Sequence, residues 1–288
     1  MYRRNLRAVL TSNGPFDEPA FNLEVGQVFL GGRLYRQAAQ QFLRVQQLTP
    51  EKFRANLLLA DLFVQARLSK EALELVGNLR AQNHASLQNP TNRIALIGVE
   101  GAAYLATNNW EMASKIFEQA ERTYPNNAEL FGMIANVYAG FGDYTNALAA
   151  TKKQLAIVPD HPQALLNLSA YYIELKDFDR AISALGRLIA RQPESPLPIH
   201  NRAIAYLRKG DLDAARQDYE SLERMLPPTH SVYYGLGEIA YQKNQIDIAI
   251  KNYTAYLKYA PPGTHEAQLV SDRLQELKRR LKTSKRSA

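Results

Sequence analysis

The stretch Phe131-x-x-Ile134-Ala135-x-x-Tyr138, broken at Gly142-Asp143 and continued through Ala147 to Pro159, decides how this chain is read. The same arrangement returns 34 residues later as Leu165, Leu168, Ser169, Tyr172, Lys176-Asp177, Ala181, Leu185, Leu188 and Pro193. It returns again as Ile199, Ala203, Tyr206, Gly210-Asp211, Ala215, Tyr219, Leu222 and Pro227. A fixed period of this size marks a repeat architecture, whose single unit cannot bury its own apolar face and leans on its neighbours.

Counting outward gives seven units: 19–52, 53–86, 94–127, 128–161, 162–195, 196–229 and 230–263. All seven carry an alanine in register: Ala38, Ala72, Ala113, Ala147, Ala181, Ala215 and Ala249. Twelve residues before it stands a small residue: Gly26, Ala60, Gly101, Ala135, Ser169, Ala203 or Gly237. Three positions further on, six units have an aromatic, Phe29, Phe63, Tyr104, Tyr138, Tyr172 and Tyr206, and the seventh has Ala240. Six units close on proline, from Pro50 to Pro261, and the second ends at His84.

Apolar positions recur at three- and four-residue steps, which places them on one face of a helix. Each unit is broken by a turn, such as Asn108-Asn109, Gly142-Asp143, Lys176-Asp177, Gly210-Asp211 or Asn244-Gln245. Glycine and asparagine tolerate the left-handed backbone that ends a helix, and the closing proline cannot continue one. The small pair within a unit, Ala135 and Ala147 for example, belongs where two helices cross closely. The pattern predicts an all-α fold built from antiparallel helix pairs.

With its 34-residue period of helix, turn and helix, the pattern resembles the tetratricopeptide repeat over about 245 of the 288 residues. The resemblance implies an α-solenoid coiled into a right-handed superhelix, with the first helix of each unit lining a concave groove. It also implies a binding scaffold rather than an enzyme. Carried onto this chain, unit six supplies Leu197, His200, Asn201, Ile204, Leu207 and Arg208 to that groove. Unit seven supplies Ser231, Tyr234, Gly235, Glu238, Tyr241 and Gln242. One groove of this family clamps a C-terminal carboxylate with two asparagines and several cations. Asn136 and Asn167 match the asparagines, but Gly132, Leu197 and Asn201 stand where the cations belong, so binding of that type is rejected.

The strict register fails once. Ala72 to Ala113 spans 41 residues, so the polar stretch His84 to Arg93 holds an insertion, read as a longer second helix or an extended loop. It divides the array into units one and two (19–86) and units three to seven (94–263), with 87–93 between. At the N-terminus, residues 1–18 form an extension: a short helix over 1–10, then a turn-rich connector from Thr11 to Pro19. After Pro261-Pro262-Gly263, Thr264 is the expected N-cap of a capping helix over 264–282. Its stripe is Ala267, Val270, Leu274, Leu277 and Leu281, and 283–288 form a disordered tail.

The net charge of +7 is concentrated at the ends: +4 lies in 264–288 and +1 in 1–20, leaving +2 for the repeats. No groove-wide basic surface follows, and nucleic acid is disfavoured as a partner. There is no cysteine, which removes disulfides, zinc–thiolate sites and thiol nucleophiles. The five histidines show no ligand spacing on a helix, and neither a phosphate-cradling glycine loop nor a triad is suggested. No catalytic residue, metal or cofactor is therefore expected. No signal peptide precedes the repeats, which points to the cytoplasm, or to the envelope if an N-terminal anchor lies outside this sequence.

The function expected is non-catalytic: a peptide or helix of a partner protein held in the groove by Asn136, Asn167, Asn201, His200, Arg208, Tyr234, Glu238 and Tyr241. Small residues at Gly98, Ala102, Ala106, Gly132, Ala139 and Gly140 are expected to leave room for it. Asparagine amides both donate and accept, which suits a peptide main chain. Tyr234 and Tyr241 are expected to grip an apolar side chain beside His200 and Arg208. Two other readings stay open: a domain or subunit of a larger enzyme such as a glycosyltransferase, and an assembly or secretion component of the cell envelope.

Overall fold

The computed structural model describes residues 17–49, 53–81 and 85–287, with side chains as far as Thr283. The expected N-terminal helix over 1–10, most of its connector, Pro50 and His84 lie outside the described residues. Among those described, every regular element is helical. The chain divides into two compact bodies, Met1–Ile157 and Val158–Ala288. The division falls within the last residues of the fourth repeat, 128–161.

In the first body, α1 (Glu18–Gly31) pairs with α2 (Tyr35–Leu48), and α3 (Phe53–Gln65) with α4 (Ser69–Ala81). Then α5 (Pro90–Ala106) pairs with α6 (Trp110–Thr123), and α7 (Ala128–Gly140) with α8 (Tyr144–Ile157). The second body continues with α9 (Pro162–Glu174) and α10 (Phe178–Arg191), α11 (Pro196–Lys209) and α12 (Leu212–Met225), and α13 (His230–Gln242) and α14 (Ile246–Tyr259). A last helix, α15 (His265–Ser287), packs on α14. Each body is thus a stack of antiparallel helix pairs, the all-α solenoid that the repeats predict.

The register alanines explain how closely the pairs approach. All seven, Ala38 through Ala249, are 0% exposed, so each sits at a crossing that leaves no room for a longer side chain. Where the small residue is glycine, a ring fills the gap. A Cβ on Gly26 would meet Phe42 at 2.4 Å, one on Gly101 would meet Phe117 at 2.2 Å, and one on Gly237 would meet Tyr253 at 2.7 Å. Where it is Ala60, the equivalent position of the second helix is the smaller Val76, and both are buried in one cluster.

One turn is repeated seven times. Its left-handed residue is Arg33, Arg67, Asn108, Gly142, Lys176, Gly210 or Asn244, with φ between 55° and 88°. The next amide reaches back five residues, as from Asp143 to the Tyr138 carbonyl at 3.0 Å and from Asp177 to the Tyr172 carbonyl at 2.8 Å. This closes the first helix in a Schellman motif. In four turns that next residue also caps the second helix: Asn109, Asp143, Asp177 and Asp211 each accept from the amide three residues on.

The described part of α4 reaches Ala81, and the described part of the insertion, residues 85–93, forms a 3-10 turn (Ala85–Gln88) and the first turn of α5. Asn89 accepts from the Thr91 amide at 2.9 Å, and Pro90 fits the first helical turn, so the helix starts upstream of the repeat register. Leu87 packs on a core that joins Val76 and Leu79 of α4 to Leu96 and Val99 of α5, which keeps the stack continuous there.

Both ends depart from expectation. α1 begins at Glu18, capped by Asp17, so Pro19 belongs to the helix and not to the connector. α15 begins after Thr264, whose hydroxyl accepts from the Ala267 amide at 3.2 Å. It runs to Ser287 and not only to Lys282. Lys282 to Ser287 contain no glycine or proline to stop it, and a solvated helix tolerates lysine and arginine. Val270, Leu274 and Leu277 of its stripe are buried against Tyr253 and Tyr256 of α14.

Candidate functional site

The second body holds a cavity of about 640 Å³ along the facing sides of α11 and α13. α11 contributes His200, Ile204, Leu207 and Arg208, and α13 contributes Ser231, Tyr234, Glu238 and Gln242. Tyr219 of α12, Tyr256 of α14, Glu266 of α15 and His230 also line it, with Lys209 and Gly210 at the end of α11.

Tyr219 reaches the cavity from behind. It occupies the ring position of its unit, but its small partner is Ala203, which leaves no glycine gap within the pair. The ring lies instead over Gly235 of the next unit, where an added Cβ would meet it at 2.1 Å. Tyr219 is only 2% exposed, and its hydroxyl makes no hydrogen bond among the described residues, although it borders the cavity. The His200 ring stands edge-on to it at 6.0 Å, and Tyr234 tilts against Tyr256 at 5.7 Å. His230 meets Tyr256 edge-on at 6.1 Å. Tyrosine rings with their hydroxyls kept at a wet boundary are typical of binding surfaces.

Burial is the main cause that pushes up the phenols of Tyr219, Tyr234 and Tyr256. Carboxylates add to it: Glu238 and Glu266 around Tyr234, and Glu266 near Tyr256. Burial lowers His200, which favours its neutral ring. The cations near the cavity already have acids. Arg208 lies 3.8 Å from Glu174, Lys209 lies 2.6 Å from Asp179, and Arg273 pairs with Glu238.

The expected groove residues are distributed unevenly. His200, Arg208, Tyr234 and Glu238 come together in the cavity wall. Glu238 is also held structurally, accepting from the Tyr253 hydroxyl at 2.6 Å and from Arg273. Tyr241 is apart from them: it lies under the Arg273 guanidinium, 4.7 Å from its ring centre, and packs with the α14–α15 core. Asn167 and Asn201 hold equivalent positions on α9 and α11, both half-buried, and Asn167 accepts from the Gln163 amide at 2.9 Å. Asn136 is exposed on α7 of the first body.

In the first body the expected room is partly filled by the protein itself. Gly98 is buried under Met133, whose sulfur would be 2.8 Å from an added Cβ. A Cβ on Gly132 would meet the Gln154 amide nitrogen at 2.7 Å. These two glycines serve packing between and within units, while nothing lies within 4 Å of a Cβ on Gly140. Tyr219, Tyr256, His230 and Glu266 were not among the groove residues the sequence suggested. For Tyr219 a signal exists: a ring opposite an alanine, followed by an extra glycine at 235.

A tetratricopeptide repeat model matches residues 23–83, 99–162 and 200–264, and a second one matches 138–198. The chain belongs to the tetratricopeptide repeat family. Proteins of this family serve generally as scaffolds for protein–protein interaction. Among solved structures, a tetratricopeptide repeat protein from Parabacteroides merdae aligns over 90% of this chain and 98% of its own, at 16% identity and a TM-score of 0.54. PilW, described as a widely conserved type IV pilus biogenesis factor, aligns over 88% and 98%, at 19% identity and 0.54. The C-terminal part of a repeat-containing protein from Cytophaga hutchinsonii aligns over 86% and 98%, at 15% identity and 0.55. At these identities the likeness is one of fold. No curated protein matches this repeat protein. Among the described residues no helix is long and apolar enough to cross a membrane, and no His/Asp/Glu group could hold a metal ion.

Proposed function

We propose that this tetratricopeptide repeat protein is a non-catalytic scaffold that holds a peptide segment of a partner protein along the α11–α13 face of its second body. The observation that carries this reading is the cavity itself, where the nearly buried Tyr219 keeps a hydroxyl without a partner beside the half-buried Tyr234 and His200. Aromatic side chains set in a recess, with polar tips facing inward, are the usual anchors of a peptide interface. Asn201, on α11, lies on the first helix that the family's groove uses, and its amide suits a peptide main chain.

Selection of a displayed random-peptide library on the whole chain tests this. The expected result is a set of enriched peptides whose affinity falls by about 1–3 kcal/mol in Tyr234→Ala, the usual cost of removing an interface anchor. Asn167→Ala with Asn201→Ala should weaken the same peptides by a similar amount, on the order of 1–3 kcal/mol, through unpaired amide partners. Circular dichroism should be unchanged in each case. Peptides that bind all these variants as tightly as the parent place the binding surface elsewhere.

A further inference from the structure

The turns of the first two units break the chemistry that the later turns share. Just after the left-handed residue, units three to six place Asn109, Asp143, Asp177 or Asp211, and each caps the second helix of its pair. Units one and two place Leu34 and Leu68 there. Leu34 has φ −87° and ψ 64°, close to the −94° and 70° of Asn109, so the backbone is set for a cap that leucine cannot supply. The left-handed residue before it is unfavourable too: Arg33 and Arg67 have φ of 59° and 62°. Unit seven also lacks a side-chain cap, but Gln245 is polar and its left-handed residue is Asn244. Two local rules are thus broken twice, at equivalent positions and by the same Arg-Leu pair. Such breaks mark places where something other than folding selects the residues.

What the breaks achieve is a pair of apolar tips set among cations. Leu34 is 46% exposed, Leu68 44% and Tyr35 40%. Arg33 and Arg36 flank the first tip, Arg67 and Lys70 the second, and all four are exposed. Other arginines of these two units are engaged: Arg44 with Glu18, Arg54 with Gln27, and Arg80 with Glu100. The four cations at the tips enter no ion pair among the described residues. Glu71 is the single acid in the segments 31–37 and 65–71. Both tips lie on one edge of the first body. α2 and α3 are consecutive helices packed on each other and run in opposite directions, which brings the start of α2 beside the end of α3. Phe63 joins the cores of the two pairs. The basic character stops at the next two turns, where Glu111 follows Trp110 and Asp143 follows Gly142.

We infer that this edge docks on an anionic lipid surface, with Leu34, Tyr35 and Leu68 entering the interface and Arg33, Arg36, Arg67 and Lys70 meeting the phosphate headgroups. A side chain at the tip of a turn has no walls beside it. It cannot enclose a peptide, but it can enter a soft layer that closes around it. Long basic side chains keep their charge among headgroups while their stems lie against apolar matter. Each cation near an anionic leaflet adds to the attraction. A lipid surface is also broad enough to meet the tips of two neighbouring repeats at once. The docking is peripheral, since no described helix is long and apolar enough to cross a membrane. It is independent of the peptide-binding reading, whose cavity belongs to the second body.

The probe is vesicles of phosphatidylcholine and phosphatidylglycerol in equal parts, mixed with the whole chain and sedimented. Pure phosphatidylcholine vesicles serve as the control. Partition onto the mixed vesicles should be at least about tenfold stronger than onto the control and should weaken as salt is raised. Leu34→Asn with Leu68→Asn should lower that partition at least about tenfold while raising the thermal unfolding midpoint, because asparagine supplies the missing caps. A loss of binding with a gain of stability cannot come from damage to the fold. Arg36→Gln with Lys70→Gln should also lower partition onto the mixed vesicles at least about tenfold. No partition, equal partition onto both kinds of vesicle, or partition that either paired variant retains overturns the inference. Peptide binding that depends on Tyr234 is expected to be unchanged in both paired variants, so the two readings fail separately.

Discussion

At the residue scale, the coupling between a small position and the ring it faces is what sets helix separation. Gly101 exists because Phe117 passes 2.2 Å from where a Cβ would be. Gly101→Ala should therefore lower stability by about 1–3 kcal/mol through overpacking. Adding Phe117→Val should recover part of the loss, because it recreates the Ala60–Val76 pairing of the second unit. Thermal unfolding followed by circular dichroism checks both, and a double variant no better than the single would mean that the two positions are not coupled. His200 carries a second residue-level effect. Burial lowers its pKa from the ordinary value of 6.5, so the unfolded chain takes up the proton first as pH falls. The contribution of the neutral ring is complete above that ordinary value and is lost as pH drops through it toward the lower folded pKa. Compared with the parent, His200→Gln should show a smaller fall in unfolding midpoint between about pH 8 and pH 5, whereas an identical fall would assign the acid sensitivity to other groups.

At the scale of the element, the turn between paired helices demands one left-handed residue whatever the side chain. Gly142 and Gly210 meet that demand without strain, and Asn108 and Asn244 at small cost. Arg33, Arg67 and Lys176 adopt the same backbone with φ of 59°, 62° and 60°, a conformation that is unfavourable for a long side chain. Arg33→Gly and Arg67→Gly should each change stability favourably by about 0.5–1 kcal/mol, the steric relief exceeding the added freedom of the unfolded chain. Gly210→Ala should do the reverse by about 1 kcal/mol. Urea unfolding midpoints give the sign, and a destabilised Arg33→Gly would show that the arginine side chain contributes contacts that outweigh its backbone strain.

For the whole molecule, the last helix decides whether the second body ends in solvent or in another chain. α15 buries Val270, Leu274 and Leu277 against Tyr253 and Tyr256, and Arg273 ties it to Glu238 and to the Tyr253 hydroxyl. Truncation after Pro262 uncovers that apolar face, and a stack of repeats needs a polar outer surface to stay soluble. Self-association or precipitation is expected in light scattering, at concentrations where the full chain scatters as a single species. A truncated chain that remains monodisperse with the same apparent size would show that α15 is not required as a cap.

The repeat period determined the helix pairs, their antiparallel order and the crossing at each register alanine, because a 34-residue pattern of small and apolar positions has few ways to bury itself. Thr264 as a cap and the buried stripe of α15 were legible for the same reason: capping and helical spacing are local. The insertion was legible as a break in register but not in its form, since whether Asn89 and Pro90 start a helix depends on the core that receives Leu87 and Leu96. The candidate site was legible only along α11 and α13, where periodicity points His200, Arg208, Tyr234 and Glu238 to one side. That Tyr241 turns to Arg273, that Met133 fills the space over Gly98, and that Tyr219, Tyr256 and Glu266 close the cavity were decided by tertiary structure. Those contacts join residues of different helices and different repeats. Spacing along one helix fixes a direction, but what stands in that direction depends on the volume and charge of side chains brought there by the rest of the stack.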